Sequence, residues 1–293
     1  MKHLIALMRP AQWLKNVFIM LPLFFSRNIM SADGLINPAY TFVAFSLAAS
    51  SIYCFNDIMD VEADKLHPKK SKRPIASGKI TLPQAYAAMF VLIVAAILSL
   101  FALPNGSART GTIAIVVIYY VMNIAYCLGL KHIAIIDTFI ISTGFVIRVL
   151  AGGISTGTWV SQWIILMTFL LALFLAFAKR RDDVVIFNNC GKKMRRNITR
   201  YNLEFLNNAI SIIAAMTMIC YIMWTMSQAV IERLGTEQLY ITSIFVLLGM
   251  MRYMLLTIVD AKSGSPTNIL QRDKFIHLCI LGWIVSFIVI IYM

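Results

Sequence analysis

The chain contains few charged residues. Only 13% of its 293 residues are Asp, Glu, Lys or Arg, 60% are hydrophobic, and the mean hydropathy is +0.79. Soluble globular domains carry about 25% charged residues, so this composition excludes a soluble protein. The five cysteines include no CxxC pair and the four histidines form no cluster, which argues against a disulfide framework or a zinc site. The chain is therefore predicted to be an integral membrane protein.

Apolar runs recur along the whole sequence. Runs of about 17 to 22 residues are long enough to cross a hydrocarbon core of roughly 30 Å as helix. They leave no room for a soluble domain, so residues 1–293 are predicted to form a single all-α polytopic membrane domain, with about nine transmembrane helices in one bundle. The predicted spans are residues 12–27, 39–55, 83–104, 110–127, 133–151, 160–178, 206–230, 238–258 and 274–293.

Basic residues mark one side of the membrane. The net charge is +13, and 21 of the 26 Lys and Arg residues fall in segments that are cytoplasmic if the N-terminus is, against three in the opposite loops. This asymmetry follows the positive-inside rule, so the charge indicates topology and not nucleic-acid binding. The sequence predicts a multi-pass protein of the cytoplasmic (inner) membrane whose N-terminus, and whose two long inner loops of about 56–82 and 179–205, face the cytoplasm.

Carboxylates cluster where the second predicted span ends, in the stretch NDIMDVEAD. If the helix continues into this stretch, Asp57, Asp60 and Asp64 lie at i, i+3 and i+7 on one face. Like charges on one face repel each other, so a divalent cation is the expected partner, and Mg²⁺ suits a few carboxylates completed by water and phosphate oxygens. The alternative is that the acids are only the solvated end of a helix beside a positive-inside loop.

A basic cluster follows these acids directly. Metal and cations together are expected where a site holds a polyphosphate, because the charge of a diphosphate leaving group must be neutralised from several sides. The cluster alone would be weak evidence, since positive-inside loops carry such residues routinely. Its members are Lys65, Lys69, Lys70, Lys72, Arg73 and Lys79.

Further polar residues lie at the ends of other spans or within them. Tyr126, Lys131 and Asp137 surround the start of the fifth span, and Arg148 follows Asp137 by about three helical turns, so Asp137 and Arg148 could share one side of the helix. Charges within a span usually serve function, although an intramembrane ion pair is the structural alternative. Two more groups are ambiguous between membrane anchor and phosphate ligand: Lys179 and Arg180 in FAKRRDDV, and Lys15 and Asn16 in RPAQWLKN.

These motifs resemble a known family. The stretch NDIMDVEAD fits the NDxxDxxxD signature of the UbiA-type intramembrane prenyltransferase superfamily. Within that superfamily the chain is most similar to the decaprenyl-phosphate phosphoribosyltransferases, whose segments run in the same order over essentially the whole chain. The shared segments are RPAQWLKN, NDIMDVEADKLHPKKSKRPIASG, YCLGLKHIAIIDTFIISTGFVIRVLAGG, SQW, AKRRDD and QRDK.

The resemblance implies a reaction and a site. The donor would be phosphoribosyl pyrophosphate, the acceptor a polyprenyl phosphate in the bilayer, and the cofactor Mg²⁺. Asp57, Asp60 and Asp64 would bind the metal, with Asp57 and Asp60 also catalytic and Asp137 a candidate for stabilising charge at the ribose. Positions that match the family and are candidates for binding the donor are Lys15, Asn16, Asn56, Lys70, Arg73, Tyr126, Lys131, Arg148, Lys179 and Arg180.

The expected chemistry needs no strong general base. A lipid phosphate is already an anion near neutral pH, so its direct attack on the anomeric carbon suits a chain without a histidine cluster and predicts inversion at that carbon. One departure from the family is the segment Ser263–Asn268, SGSPTN, where members tend to carry the acids of GEPED.

Two other functions remain open. A prenyltransferase that joins a prenyl diphosphate to an aromatic or quinone precursor uses the same acidic motif, but typically carries a second aspartate-rich motif where this chain has a lone Asp137 beside Lys131. A transporter would distribute polar residues through the bilayer midplane. Nearly all charges here lie at one face, which disfavours transport.

Overall fold

A computed structural model describes residues 2–24, 32–65, 70–190, 197–260, 269 and 272–292. Those residues contain helices and turns but no strand. They include eight helices that are long and apolar enough to cross a membrane. The predicted class of all-α, multi-pass membrane protein is confirmed, whereas the count of nine spans and the cytoplasmic N-terminus stay predictions.

The helices follow the apolar runs of the sequence. Besides its α-helices, the described chain contains a long 3-10 helix over Pro10–Met20, a 3-10 turn over Gln238–Thr242 and a π-helical turn over Leu255–Val259. The α-helices are α1 (Lys2–Met8), α2 (Leu21–Phe24), α3 (Ala32–Met59), α4 (Val61–Lys65), α5 (Leu82–Leu100), α6 (Ser107–Leu128), α7 (Ile136–Thr156), α8 (Gln162–Cys190), α9 (Leu203–Thr225), α10 (Gln228–Leu234), α11 (Ser243–Met254) and α12 (Lys274–Tyr292).

One predicted boundary is wrong. The second long inner loop was expected to begin at residue 179, but α8 continues to Cys190, so the RRDD segment is helical. No Gly or Pro interrupts residues 179–190, and Arg180 pairs with Asp183 one turn later at 3.2 Å. Helix-compatible residues and an i, i+3 ion pair allow the helix to continue although its sequence has become charged.

The described chain divides into two compact units. The first comprises Met1–Lys131 and Thr143–Val160, and the second comprises His132–Ser142 and Ser161–Met293, so that α7 contributes residues to both. In the first unit α3 packs along α5 and α6, and small side chains such as Ala44, Ala48 and Ala49 are buried around Phe45. Small residues let membrane helices approach closely, since lipid offers no hydrophobic drive for their association.

Side chains at every third residue of the 3-10 helix Pro10–Met20 have the same spacing as side chains at every fourth residue of α3. Trp13 Nε1 donates to Ser50 Oγ at 3.0 Å, and Asn16 Nδ2 donates to Ser46 Oγ at 2.9 Å. Three residues of 3-10 helix rise about 6 Å, and so do four residues of α-helix, which keeps both pairs in register. Ile19, three residues after Asn16, lies against Gly152. A Cβ atom at Gly152 would lie 2.0 Å from the Ile19 carbonyl oxygen. This fit accounts for a 3-10 helix of unusual length.

The second unit is built on α8 and α9, with α11 and α12 packed together. Its core is aliphatic and aromatic, with Phe174, Leu206 and Ile210 fully enclosed. The buried Tyr221 hydroxyl lies 2.6 Å from Thr242 Oγ1 and accepts a hydrogen bond of 2.6 Å from Trp283 Nε1. These three polar side chains satisfy one another, as an apolar surrounding requires.

Candidate functional site

The acidic motif keeps its helical phase across the end of α3. Asp60 stands as a turn residue between α3 and α4, but its N–H still donates to the Asn56 carbonyl at 3.0 Å. The Asp64 N–H likewise donates to the Asp60 carbonyl at 2.8 Å. The i, i+4 hydrogen bonds therefore continue through the motif, and the predicted common face of Asp57, Asp60 and Asp64 follows from them.

Two of these carboxylates are buried and form ion pairs with basic side chains. Asp57 and Asp64 are each only 2% exposed. Asp57 Oδ1 accepts a hydrogen bond from Arg9 and another of 2.9 Å from Arg73 Nη1. The same Arg73 atom lies 2.6 Å from Asp64 Oδ2, and Lys70 Nζ is 3.9 Å from Asp64 Oδ1. Buried carboxylates require such partners, because an unpaired buried charge is costly.

The third carboxylate faces a separate lysine. Lys131 Nζ lies 2.6 Å from Asp60 Oδ1 and 3.4 Å from Asn56 Oδ1. Lys131 belongs to a short 3-10 turn directly after α6, so the end of α6 places it against the end of α3. Among the described residues, four cations (Arg9, Lys70, Arg73 and Lys131) pair with three carboxylates, which gives these seven side chains one excess positive charge. We call them the acid–base cluster.

Buried isoleucines position the basic loop. Ile75 and Ile80 are 5% exposed and pack with Leu7 and Ile58 in an apolar cluster beside the motif. Backbone hydrogen bonds such as Ile80 N–H to the Pro74 carbonyl, 3.1 Å, close the loop between them. The sequence RPIASGKI is thus anchored by two apolar side chains, and Arg73 is fixed relative to the acids.

The chemistry of this cluster fits a divalent cation. Within the described parts of the chain no ready-made group of three acidic, histidine or cysteine side chains is gathered closely enough to hold a metal. The second oxygen of Asp57, Oδ2, is nevertheless buried and accepts no hydrogen bond. Mg²⁺ binds carboxylate oxygens, and this oxygen has no hydrogen-bond donor and belongs to one of three carboxylates on the same helix face. The residues present therefore suit a hard cation.

Arg148 lies buried in the first unit without an acid beside it in the described residues. Its guanidinium donates to Asn16 Oδ1 at 2.7 Å, to the Gly144 carbonyl at 2.7 Å and to the Tyr119 hydroxyl at 2.8 Å. It also stands 4.8 Å from the Tyr119 ring centre and 5.5 Å from that of Phe145. These contacts solvate the guanidinium, but all of the acceptors are neutral. Within the part of the chain that the structure describes, the charge itself has no acidic partner.

Asp137 has a different set of partners, within the second unit. Arg180 Nε donates to Asp137 Oδ2 at 2.7 Å, and the Tyr201 hydroxyl donates to Oδ1 at 3.2 Å while accepting the Ile135 N–H at 2.6 Å. Both charged side chains are almost fully enclosed. Burial raises the pKa of Tyr201 to about 12, which keeps its hydroxyl a donor. Asp137 and Arg148, expected to share one side of α7, therefore have separate partners.

The remaining candidates lie nearer the surface. Lys15 and Lys179 are exposed, and Tyr126 packs half-buried against the apolar core of the first unit. The segment Ser263–Asn268, where the family's acids are missing, lies outside the described residues.

The sequence interpretation missed several partners: Arg9 on Asp57, Tyr119 on Arg148, and Tyr201 on Asp137. Of these only Arg9 carried a signal, as a basic residue just before Pro10 and an apolar run.

Sequence comparison places the chain in a family of membrane transferases. The profile of the UbiA prenyltransferase family matches residues 19–279, and the chain belongs to that family. It is 33% identical over 96% of its length to a decaprenyl-phosphate phosphoribosyltransferase of Mycolicibacterium smegmatis, of which it covers 90%. It is 30% identical over 99% of its length to the enzyme of that name from Corynebacterium glutamicum, of which it covers 86%.

Solved structures share the fold. A UbiA homolog from Archaeoglobus fulgidus, bound to GPP and Mg²⁺, superposes with a TM-score of 0.69. The match covers 98% of this chain and 99% of the homolog at 16% sequence identity. The structural likeness supports the UbiA fold for the whole chain.

Proposed function

We propose that this enzyme transfers the 5-phosphoribosyl group from phosphoribosyl pyrophosphate to a polyprenyl phosphate and releases pyrophosphate, with Mg²⁺ as cofactor. The proposal is supported by the names of its full-length relatives and by the acid–base cluster of the first unit. We further propose that the protein lies in the cytoplasmic membrane with this cluster facing the cytoplasm, because the basic residues gather on that side.

The acid–base cluster suits a diphosphate leaving group. Asp57, Asp60 and Asp64 would hold Mg²⁺, which when bound neutralises charge on the diphosphate. Arg9, Lys70, Arg73 and Lys131 already surround these acids, and the excess positive charge of the cluster attracts an anion before any bond breaks. Fixed cations at the position where negative charge develops are the largest contribution in such transfers.

The observation that carries the choice of donor is Arg148. A buried cation with no neighbouring acid among the described residues is suited to stabilise an anion that arrives with the substrate. A phosphoribosyl donor has a second phosphate at the far end of its ribose, whereas a prenyl diphosphate has only hydrocarbon there. Arg148, with Asn16 and Tyr119, therefore favours the phosphoribosyl donor over the prenyltransferase alternative.

The bond changes need little from the protein beyond positioning. The C1–oxygen bond to pyrophosphate breaks, and an oxygen of the lipid phosphate forms the new bond to C1 from the opposite side, which inverts that carbon. No proton has to be removed from the attacking phosphate anion. Because the Asp137 carboxylate is enclosed by Arg180 and Tyr201, we propose that it positions Arg180 and does not contact the ribose.

Purified protein in nanodiscs tests the proposal. With labelled phosphoribosyl pyrophosphate, polyprenyl phosphate and Mg²⁺, we expect the unmodified protein to form a labelled lipid. No labelled lipid should form when a chelator is added, or when the Asp57→Asn variant, prepared in the same way, replaces the unmodified protein. A prenyl diphosphate with 4-hydroxybenzoate should yield no product. Product only from the second pair of substrates would exclude the phosphoribosyl assignment and establish the prenyltransferase alternative.

A further inference from the structure

The acid–base cluster holds one of its guanidinium groups more weakly than the other. Arg9 and Arg73 both donate to the same oxygen of Asp57. Arg73 also binds Asp64, so its departure would break two ion pairs. Arg9 contacts no second acid in the described chain; its guanidinium lies 5.0 Å from the ring centre of Tyr53, and its side chain is 26% exposed. Arg9 is the cation that leaves Asp57 more easily.

Arg9 also stands at a joint in the backbone. It lies between α1 and the 3-10 helix that begins at Pro10, with φ 53° and ψ 61°. This left-handed conformation is uncommon for residues other than glycine. The chain therefore changes direction at Arg9, whose long, partly exposed side chain reaches a carboxylate that is itself buried.

Repulsion between like charges governs the response of the cluster to a bound metal. A divalent cation bound to Asp57 Oδ2, the oxygen that accepts no hydrogen bond, would lie close to both guanidinium groups on Oδ1, and repulsion between like charges is strong where they are partly buried. A diphosphate on the metal offers oxygens that accept bidentate hydrogen bonds from arginine. The more weakly held guanidinium gains by moving from the carboxylate to the phosphate.

We propose that Arg9 neutralises Asp57 while metal and donor are absent, and transfers its guanidinium to the donor diphosphate when the metal binds. Arg9 is then both a competitor of the metal and a ligand of the diphosphate. The inference rests on the proposed function only in taking a diphosphate as the leaving group. It predicts that the loss of Arg9 strengthens the binding of the metal and weakens the binding of the diphosphate.

The test uses the purified protein in nanodiscs with Mn²⁺ alone, followed by the electron paramagnetic resonance of free Mn²⁺. The Arg9→Gln variant should bind Mn²⁺ at least about 5-fold more tightly than the unmodified protein, because a competing buried ion pair is gone. With saturating Mn²⁺, inorganic pyrophosphate should bind the variant about 10-fold more weakly, because one charged hydrogen bond is lost.

The matched control is Lys65→Gln. It also removes one positive charge from the first unit, but Lys65 pairs with the exposed Glu62, so both affinities should stay within about twofold of the unmodified protein. Arg9→Lys keeps the charge without the fork of donors, so Mn²⁺ affinity should stay near normal while pyrophosphate affinity falls.

Two results would overturn the proposal. The first is unchanged or weaker Mn²⁺ binding by a folded Arg9→Gln variant, and the second is unchanged pyrophosphate binding. If Arg9→Gln does not fold, Arg9→Lys decides, since normal pyrophosphate affinity there contradicts a bidentate contact. Neither measurement contains a ribose donor or the polyprenyl phosphate acceptor, so a failed transferase assay and a failed test of Arg9 remain distinguishable.

Discussion

Two buried arginines offer a direct comparison between a structural and a functional charge. Arg148 is 5% exposed and contacts only neutral acceptors in the described chain, whereas Arg180 is fully buried and paired with Asp137. Methionine replaces either side chain with an unbranched apolar one of similar length. The variants Arg148→Met and Arg180→Met should therefore differ in stability, although both remove a buried guanidinium.

The expected free energies of unfolding depend on the groups that each variant leaves behind. Arg180→Met leaves Asp137 buried without its cation, and removal of one partner of a buried pair costs about 3–5 kcal/mol. Arg148→Met leaves Asn16 Oδ1 and the Tyr119 hydroxyl with one hydrogen bond fewer, about 1–3 kcal/mol each. It also removes an uncompensated buried ion, whose penalty is several kcal/mol. We expect a net change within about 2 kcal/mol of zero.

Unfolding of both variants in mixed micelles, without donor or metal, measures this difference. Arg148→Met should unfold near the unmodified protein but lose binding of phosphoribosyl pyrophosphate, and Arg180→Met should unfold earlier. The double variant Asp137→Leu with Arg180→Met is the control, because replacing a whole buried pair by apolar residues is often neutral. Equal destabilisation by Arg148→Met and Arg180→Met would show that Arg148 is structural and remove the main support for the phosphoribosyl donor.

Three further predictions concern single contacts. Lys131→Met should raise the KM for the donor about 10-fold or more, measured in the transferase assay, since Asp60 and the diphosphate lose a charged partner; an unchanged KM would place Lys131 outside the site. Tyr201→Phe should lower the free energy of unfolding by about 1–3 kcal/mol, because the Ile135 N–H and a buried carboxylate each lose a hydrogen bond; unaltered unfolding would contradict this. The hydrogen bond from Arg252 lowers the pKa of Asp273 below its usual value, so the stabilisation by this ion pair is complete above the unfolded-state pKa and is lost as pH falls through the folded-state pKa; Asp273→Asn should remove that acid dependence from unfolding curves measured between pH 5 and pH 2.

The sequence was sufficient for the membrane-spanning helices whose signal is local. Eight of the predicted spans coincide with helices such as α5, Leu82–Leu100, because about 20 consecutive apolar residues have few alternatives in a bilayer. The C-terminal end of α8 was misjudged, because its charged residues are compatible with a helix once Arg180 is paired with Asp137 and Asp183. Hydropathy does not record such pairing.

The candidate site was also predictable from the sequence only in part. The common face of Asp57, Asp60 and Asp64 follows from helical periodicity and was predictable. Arg9 and Tyr119 reach their partners from distant segments, and no spacing in the sequence encodes those contacts. The excess of cations around the acids was visible in composition, but which cation binds which acid depends on packing of the helices.

Insertions and deletions in residues 10–20 should be tolerated only in threes. The row of Trp13, Asn16 and Ile19 returns to one side of the 3-10 helix every third residue, so a change of one or two residues turns it by a third of a revolution away from its serine partners. A change of three slides the row by about 6 Å, one α-helical step between Ser50 and Ser46. Natural length variation within this segment, compared across family members, should therefore occur in multiples of three.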